Sequence, residues 1–271
     1  MIKRIESKEN SIIKQCIRLA SKKYRDKEGL YLIEGPNLVE EAMKNGADIK
    51  AILMSEGFDA EESFNGEGFD AEQSFNGLDI YLLGDRLFSK VSLTETPQGI
   101  MAIVAKPKHD NEDALAKSLV ERGEDANVLV LDKVQDPGNI GTMIRTADAA
   151  GYGAVILVKG SGDCYSPKVV RSAAGSLFRV PIIYVDTYEE LEGLLRKYGK
   201  KIIATGFDTD KFYYDIDMTR NTALVIGNEG NGISKELFEM ADEIVKIPMH
   251  GNIESLNAAV AAGILMYEAV R

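Results

Sequence analysis

Beyond residue 127, short apolar runs alternate regularly with longer helical stretches. In the first of these stretches, Ile140, Met143, Ile144 and Ala147 recur at the spacing of one helix face. The predicted strands are 128–134, 154–160, 182–186, 201–207, 223–227 and 243–248, and the predicted helices are 139–150, 166–178, 188–198, 233–241 and 255–270. Continuous apolar strands between helices indicate an α/β domain with a parallel sheet covered on both faces. We expect its ligand in the loops at the carboxyl ends of the strands.

The first part of the chain has the same two kinds of segment in a smaller arrangement. A basic amphipathic helix is predicted over 8–25, and it precedes predicted strands at 30–35, 49–55, 79–84 and 99–105 with helices at 36–46 and 85–91. The polar segment 106–126, with a short helix, separates the two patterns. The predicted organisation is therefore a small α/β domain over 1–105, a linker over 106–126 and a larger α/β domain over 127–271.

An eleven-residue direct repeat interrupts the smaller domain. "EGFDAEESFNG" is followed at once by "EGFDAEQSFNG" at 56–77, with seven acidic residues and no basic one. Two copies are too few for a solenoid, and each ends in an Asn-Gly turn signal. The pattern predicts an acidic surface insertion in a loop between two strands.

Charge is distributed unevenly along the chain. The net charge is −11, but residues 1–27 contain nine basic and three acidic side chains, a local +6, so the other 244 residues carry −17. A clustered basic segment is typical of a surface that binds nucleic acid, and the exposed candidates are Lys14, Arg18, Lys22, Lys23 and Arg25. A solvated amphipathic helix explains the same charges equally well.

Cysteine, histidine and hydropathy patterns exclude several classes of protein. The two cysteines, Cys16 and Cys164, lie far apart, and His109 and His250 are the only histidines, so neither a disulfide framework nor a metal site is predicted. The longest apolar run has nine residues, 258–266, whereas a membrane span needs about 20. No secretory leader pattern opens the sequence. We expect a reduced, cytoplasmic protein without a membrane partner.

Three loops rich in Asn, Gly and Pro follow predicted strands, at 132–151, 225–234 and 247–257. Neither G-x-G-x-x-G nor G-x-x-x-x-G-K-[ST] occurs in them, which argues against a nicotinamide enzyme and a phosphate-binding loop. Their small, mostly neutral side chains suit a neutral or cationic ligand. Taken singly, each polar residue has a structural explanation: Asn139 and Ser255 as helix N-caps, Arg145 as the i+3 partner of Asp148, and Glu229 as a turn residue.

Taken together, the loops resemble the three signature motifs of the SpoU/TrmH group of SPOUT RNA ribose 2′-O-methyltransferases. The matching segments are "DPGNIGTMIRTADAAG", "LVIGNEGNGIS" and "IPMHGNIESLNAAVAAGILMYEA", which occur in the expected order over 136–269. The N-terminal part, "KENSIIKQCIRLASKKYRDKEGLYLIEGPNLVEEA", is similar to the ribosomal-protein-like substrate-binding domain of many members.

The resemblance implies a C-terminal trefoil knot that holds S-adenosylmethionine and a homodimer whose sites are completed across the subunit interface. Transferred to this sequence, the cofactor-binding residues are Thr205, Gly227, Ile247 and Leu256, and the catalytic residues are Asn139, Arg145, Glu229, Ser255 and Asn257. Because a guanidinium stays protonated in proteins, Arg145 is expected to bind the phosphate of the target nucleotide and stabilise the developing alkoxide. Glu229 is expected to orient Arg145 or accept the proton, and both asparagines to hold ribose, phosphate and cofactor.

Ribosomal RNA is the substrate that the appended N-terminal domain favours, by analogy with the family. Three alternatives stay open at this stage: a tRNA 2′-O-methyltransferase, a catalytically silent RNA-binding protein with the same fold, and a generic small-molecule methyltransferase or other α/β enzyme. The basic N-terminal helix argues mildly against the last.

Overall fold

The computed structural model describes residues 2–64, 75–108, 110–253 and 255–270. The chain divides into two compact units. The first comprises Met1–Lys108 with Tyr165–Arg171, and the second comprises His109–Cys164 with Ser172–Arg271.

The first unit is a five-stranded sheet with helices against it. Its strands are β1 (Ile2–Ile5), β2 (Leu30–Glu34), β3 (Ile49–Ser55), β4 (Ile80–Leu83) and β5 (Ile100–Ala105), in the order β1-β4-β3-β5-β2. Its helices are α1 (Ser11–Leu19), α2 (Lys22–Glu28), α3 (Pro36–Lys44), α4 (Ala60–Ser63) and α5 (Asp85–Val91). Strand β4 is parallel to β1 and β3, whereas β5 is antiparallel to β2 and β3. The α/β prediction for this part is confirmed, but β1 was missed because it is short and polar.

The basic helix predicted over 8–25 is two helices, not one. Arg25 explains the break: its Nη1 donates to the carbonyl oxygens of Leu19 and Ala20, each at 2.7 Å, and so binds the end of α1. Apolar residues of α1 pack into the core beneath the sheet, whereas Ile17 of the same helix is 54% exposed. Lys14, Arg18, Lys22 and Lys23 are exposed.

The duplicated acidic segment lies between β3 and β4, as predicted, although residues 65–74 fall outside the described part of the chain. Phe58 and Phe64 from the first copy and Phe75 from the second form edge-to-face ring pairs, with centroids 5.9 and 5.7 Å apart. Phe64 and Phe75 are buried. Both ends of the insertion are therefore anchored by apolar packing, which its acidic composition does not suggest.

The second unit is a six-stranded parallel sheet, as the sequence predicts. Its strands are β6 (Val128–Asp132), β7 (Ala154–Val158), β8 (Ile182–Val185), β9 (Lys201–Thr205), β10 (Thr222–Gly227) and β11 (Glu243–Val245), in the order β11-β9-β10-β6-β7-β8. Its helices are α6 (Asn111–Arg122), α7 (Pro137–Ala149), α9 (Tyr188–Lys197), α10 (Lys235–Met240) and α11 (Ala258–Glu268), with 3₁₀ turns at Ser176–Phe178 and Tyr213–Asp215. Helix α8 (Pro167–Ala173) begins in the first unit, which includes Tyr165–Arg171, and ends in the second.

Helices cover both faces of this sheet. Apolar residues of α6, α9 and α10 pack with one set of alternate strand residues, such as Val128 and Val130. Helices α7 and α11 contact each other and lie against β7 and β10. Alternate residues of a strand point to opposite faces, so these parallel strands are buried on both sides. Helix α6 occupies much of the predicted linker, and its Leu115 and Leu119 belong to this core.

Candidate active site

The carboxyl ends of β9, β10 and β11 surround a pocket of about 590 Å³. Thr205, Gly227, Ile247 and Leu256, the four predicted cofactor-binding residues, all line it. So do Glu229, Ser255 and Asn257 of the predicted catalytic set. The pocket therefore lies at the ligand-binding edge that the strand pattern predicts, and two of the three motif loops, 225–234 and 247–257, line it.

The loop after β10 is braced by its own asparagine. Asn228 and Gly232 exchange two backbone hydrogen bonds of 2.9 Å, and the Asn228 side chain accepts from the N–H of Gly230 and of Asn231. A methyl group on Gly227 would lie 2.3 Å from the carbonyl carbon of Gly232. Position 227 therefore requires glycine, because this fold brings the main chain of the loop directly over it.

Glu229 joins this loop to the loop after β6. Its Oε1 accepts from the backbone N–H of Asp136 and from the Asn139 amide, each at 3.0 Å, while its Oε2 accepts from the N–H of Gln135 at 3.1 Å. Partial burial raises the pKa of the Glu229 carboxyl, but the hydrogen bonds from Asn139 and from the Gln135 and Asp136 amides outweigh it and bring the pKa below its ordinary value. Through these three hydrogen bonds Glu229 holds the two loops together.

Asn139 and Asn257 extend this contact to the start of α11. The Asn257 Oδ1 caps the helix by accepting from the N–H groups of Ala259 and Val260, at 2.9 and 3.2 Å. Its amide nitrogen is therefore turned toward Asn139 Oδ1, to which it donates at 2.9 Å. Asn139 is 9% exposed and donates in turn to Glu229. The helix cap fixes the orientation of the Asn257 amide. It therefore also fixes the direction of the hydrogen bonds that run from Asn257 through Asn139 to Glu229.

Two of the structural explanations considered for these residues are wrong. The N-cap of α7 is Asp136, not Asn139, and the N-cap of α11 is Asn257, not Ser255. The helices begin at Pro137 and Ala258, because in each case a side-chain oxygen of the preceding residue accepts from the first turn. Asn139 is thereby free of a capping role, and Ser255 lies in the loop that lines the pocket.

Arg145 lies apart from the other predicted catalytic residues. It is an exposed residue of α7 and does not line the pocket. Six residues separate it from Asn139, which corresponds to about 9 Å along a helix and a different face. Among the described residues, no hydrogen bond or ion pair links Arg145 to Glu229 or to Asp148. Asp148 instead pairs with Arg122 and Arg179.

Several residues at the site were not anticipated from the sequence. Phe207, Phe238, Lys246 and Leu265 also line the pocket. Asp132, at the end of β6, is 1% exposed and accepts from the N–H of Ser234 at 2.6 Å and from the hydroxyl of Tyr188. A carboxylate at the carboxyl end of an apolar strand was a usable signal for Asp132, whereas the apolar wall residues carry none.

The predicted RNA-binding set loses one member. Arg25 is 4% exposed, and its guanidinium binds main-chain carbonyls within the first unit. It therefore does not present its charge to a nucleic acid, and the basic set is hereafter Lys14, Arg18, Lys22 and Lys23.

Within the described part of the chain, no cluster of three or more His, Cys, Asp or Glu side chains is placed to hold a metal ion. The same residues include no helix long and apolar enough to cross a membrane.

The parallel sheet and a pocket lined mainly by apolar side chains and main chain, with Glu229 and Lys246, define an α/β protein with a small-ligand site at the carboxyl edge of its strands. The chain belongs to the SpoU rRNA Methylase family, which it matches over residues 126–267. Residues 10–102 match the MRM3-like substrate binding domain.

Relatives and solved structures extend the likeness over the whole chain. The 23S rRNA (guanosine(2553)-2′-O)-methyltransferase RlmP of Bacillus subtilis is 39% identical over 98% of this chain and 98% of its own. The 23S rRNA (uridine(2479)-2′-O)-methyltransferase of Streptomyces viridochromogenes is 31% identical over 93% of this chain and 86% of its own. An AdoMet-bound rRNA methyltransferase from Sinorhizobium meliloti has a TM-score of 0.85 and 31% identity, covering 99% of this chain and 97% of that one.

Proposed function

We propose that this protein transfers a methyl group from S-adenosylmethionine to a ribose 2′-hydroxyl of RNA, with ribosomal RNA as the substrate. The observation that supports it most directly is the Asn257–Asn139–Glu229 chain beside the pocket, because it brings together polar residues of all three family motifs. Full-length relatives named as 23S rRNA 2′-O-methyltransferases support the choice of ribosomal RNA.

The lining of the pocket fits S-adenosylmethionine. Phe207, Phe238 and Leu265 offer apolar contact for an adenine ring, while main-chain groups at Gly227 and Leu256 are available for polar contacts. Glu229 supplies negative charge for a cationic ligand, and Lys246 is the one basic residue among the described lining residues. A single cation suits a nucleoside with an amino-acid tail better than a nucleotide with several phosphates. The bound cofactor would supply a methyl group activated by a sulfonium.

In the proposed reaction the methyl group would pass from the sulfonium, which becomes a neutral thioether, to the ribose 2′-oxygen, and the hydroxyl proton would pass to solvent. Thr205, Gly227, Ile247 and Leu256 hold the cofactor. Arg145 binds the phosphate of the target nucleotide and stabilises the negative charge that develops on the ribose oxygen. Glu229, Asn139 and Asn257 keep the loops in register, and Ser255 contacts the substrate from the pocket rim. This assigns Glu229 a positioning role in place of proton transfer, since its pKa is lowered.

The basic set on α1 and α2 is proposed to dock RNA. Its four members are exposed and belong to the segment that matches a substrate-binding domain. We also infer that the protein works in the cytoplasm, where ribosomal RNA is available.

A homodimer is part of the same proposal. Val260 and Tyr267 on α11, and Val270 just beyond its end, are each more than half exposed, and a methyl group on Gly263 would meet no other part of the described chain within 4 Å. Within the described part of a single chain, α11 is therefore not enclosed on all sides. An apolar stripe of this kind fits a second copy of the chain. Because Arg145 lies outside the pocket of its own chain, a partner subunit is the proposed source of the arginine at each site.

We also propose that the C-terminal part of the chain forms a trefoil knot, which the packing of α11 against α7 and β10 supports.

The test is transfer of a tritiated methyl group from S-adenosylmethionine to 23S rRNA, 16S rRNA and total tRNA. We expect 2′-O-methylation of ribosomal RNA, and Arg145→Ala should lower the rate by about 100-fold or more. Calorimetry should find its cofactor affinity unchanged, because Arg145 does not line the pocket. Arg220→Ala removes an exposed arginine elsewhere and serves as the control.

Each other outcome has a definite meaning. Methylation of tRNA alone would show the substrate to be wrong. Cofactor binding without transfer to any RNA would favour the silent RNA-binding protein, and loss of cofactor affinity in Arg145→Ala would contradict the division of roles.

A further inference from the structure

Arg145 and Asp148 stand three residues apart on α7. Side chains at i and i+3 are neighbours on a helix surface, and an Arg and an Asp at that spacing attract each other. An aspartate in this position would compete with an RNA phosphate for the guanidinium of Arg145. The structure contains a second set of contacts that bears on this competition.

Both carboxylate oxygens of Asp148 are taken by other arginines. Arg122, in the last turn of α6, donates from Nη2 to Oδ1 at 3.2 Å, and Arg179 donates from Nε to Oδ2 at 2.7 Å. Only 13% of the Asp148 side chain is exposed. The carboxylate is therefore held on the side of α6 and the 3₁₀ turn, and solvent does not compete strongly for it.

The two arginines are themselves held in place. Arg122 also donates to the main-chain oxygen of Arg179 at 3.0 Å, and Arg179 reaches the Ser176 hydroxyl at 3.4 Å. Arg145, by contrast, is exposed, and no hydrogen bond or ion pair involves it within the described residues. Three guanidinium groups and one carboxylate leave a local charge of +2 on this part of the surface.

We propose that Arg122 and Arg179 are positioning residues, which hold Asp148 away from Arg145 so that the Arg145 guanidinium is available to an RNA phosphate. The inference rests on the phosphate-binding role proposed for Arg145. It accounts for an acidic residue one helical turn from a guanidinium that has to meet an anion. Removal of both arginines leaves Asp148 with Arg145 as its nearest cation on the same helix.

The test combines removal of the two cations with removal of the anion. In Arg122→Gln/Arg179→Gln, methyl transfer at subsaturating RNA should fall about fivefold, the size of one surface ion pair, with the KM for RNA rising. Adding Asp148→Asn to this variant should restore most of the activity, because no carboxylate is left to bind Arg145. A purely structural role also allows some recovery, because Asp148→Asn removes a mostly buried carboxylate that has lost its partners, but that recovery should follow the unfolding free energy. Competition for Arg145 instead predicts that the KM for RNA recovers whether or not the unfolding free energy does. Arg196→Gln, which breaks the 2.6 Å pair with Asp242, is the matched control.

A crystal structure of Arg122→Gln/Arg179→Gln decides the point without any assay. We expect the Arg145 guanidinium within 4 Å of the Asp148 carboxylate, and a structure in which they stay apart overturns the inference. A wild-type protein that methylates no RNA would overturn the proposed function instead, so the two failures are distinguishable. Should the double variant not fold, Arg179→Gln with and without Asp148→Asn carries the same comparison.

Discussion

Asn257 has two separable tasks at one side chain. Its Oδ1 caps α11, and its amide nitrogen donates to Asn139. Aspartate caps a helix as well as asparagine does, but it offers no donor for the second contact. The two tasks can therefore be tested by two substitutions at the same position.

We predict that Asn257→Ala loses stability and activity together, whereas Asn257→Asp loses activity alone. Loss of the cap should cost about 0.5–2 kcal/mol of unfolding free energy. In Asn257→Asp, the amide of Asn139 lies between two carboxylates, that of Glu229 and the new one at position 257. The Asn139 Oδ1 then has no donor at position 257. Urea unfolding and the methyl-transfer rate measure the two effects. Equal stability losses in both variants would show that the cap is not what Asn257 contributes.

Glu229 makes a pH-dependent contribution to stability. Its pKa is lowered, so the stabilisation is fully present above the unfolded value of about 4.3 and is lost as pH falls through the lower folded value. Glu229→Gln cannot ionise and should lack this dependence. We therefore predict that the thermal stability of the wild type exceeds that of Glu229→Gln by a constant margin above about pH 5 and that the margin shrinks below about pH 4.

The same variant separates positioning from proton transfer. If Glu229 only holds the loops, Glu229→Gln should lower kcat by about tenfold or more and leave the shape of the pH–rate profile unchanged. A profile that loses an acid limb in Glu229→Gln would identify Glu229 as the base. Asp217→Asn provides a control, because the pKa of this exposed carboxyl is also lowered, mainly by the Thr219 hydroxyl.

At the scale of elements, the pattern of apolar residues was sufficient to predict a strand or helix where burial in the fold follows that pattern. The parallel strands of the second unit were predicted because their residues are buried on both faces and form continuous apolar runs. The ends of helices were less predictable. Asp136 and Asn257 cap α7 and α11 although Asn139 and Ser255 are equally good capping residues, and only the folded loops decide between them.

The hydrogen-bond partners of individual side chains were less predictable from the sequence than the helices and strands. Arg25 has the composition of a nucleic-acid contact, but the fold directs its guanidinium to the carbonyls of Leu19 and Ala20. The motif resemblance identified Glu229, whereas its three hydrogen bonds depend on the approach of two loops far apart in sequence. Local pattern contains no information about such approaches.

The basic set of α1 and α2 yields a prediction at the same scale. Replacing Lys14, Arg18, Lys22 and Lys23 by Gln should weaken binding to ribosomal RNA and reduce the slope of log K against log salt by up to about one for each phosphate that is no longer neutralised. Fluorescence anisotropy at several salt concentrations measures both. Replacing the exposed Lys44, Lys50, Lys117 and Lys235 changes net charge equally and should leave the slope nearly unchanged. Equal effects of the two sets would mean that overall charge, not this surface, binds RNA.

For the whole molecule, the division of the catalytic residues leads to a test by complementation. Arg145 lies outside the pocket of its own chain, while Gly227 lies under the loop that forms the pocket. Gly227→Ala should destroy the pocket, because its new methyl group would collide with the main chain of Gly232. Each variant alone should be inactive. If the protein works as the proposed homodimer, co-expression of Gly227→Ala with Arg145→Ala should give mixed dimers, in which one site combines an intact pocket with an intact arginine from the other chain.

We predict that the co-expressed pair regains about a quarter of wild-type activity, since about half of the dimers are mixed and each has one of its two sites complete. Tagged copies purified in two affinity steps isolate the mixed dimer, whose activity should approach half of the wild-type value. Val260→Asp, placed in the exposed apolar stripe of α11, should give a monomer in sedimentation analysis and abolish the recovery. A mixed dimer that stays inactive would place the arginine and the pocket of each working site in the same chain, and a wild-type monomer would remove the shared site altogether.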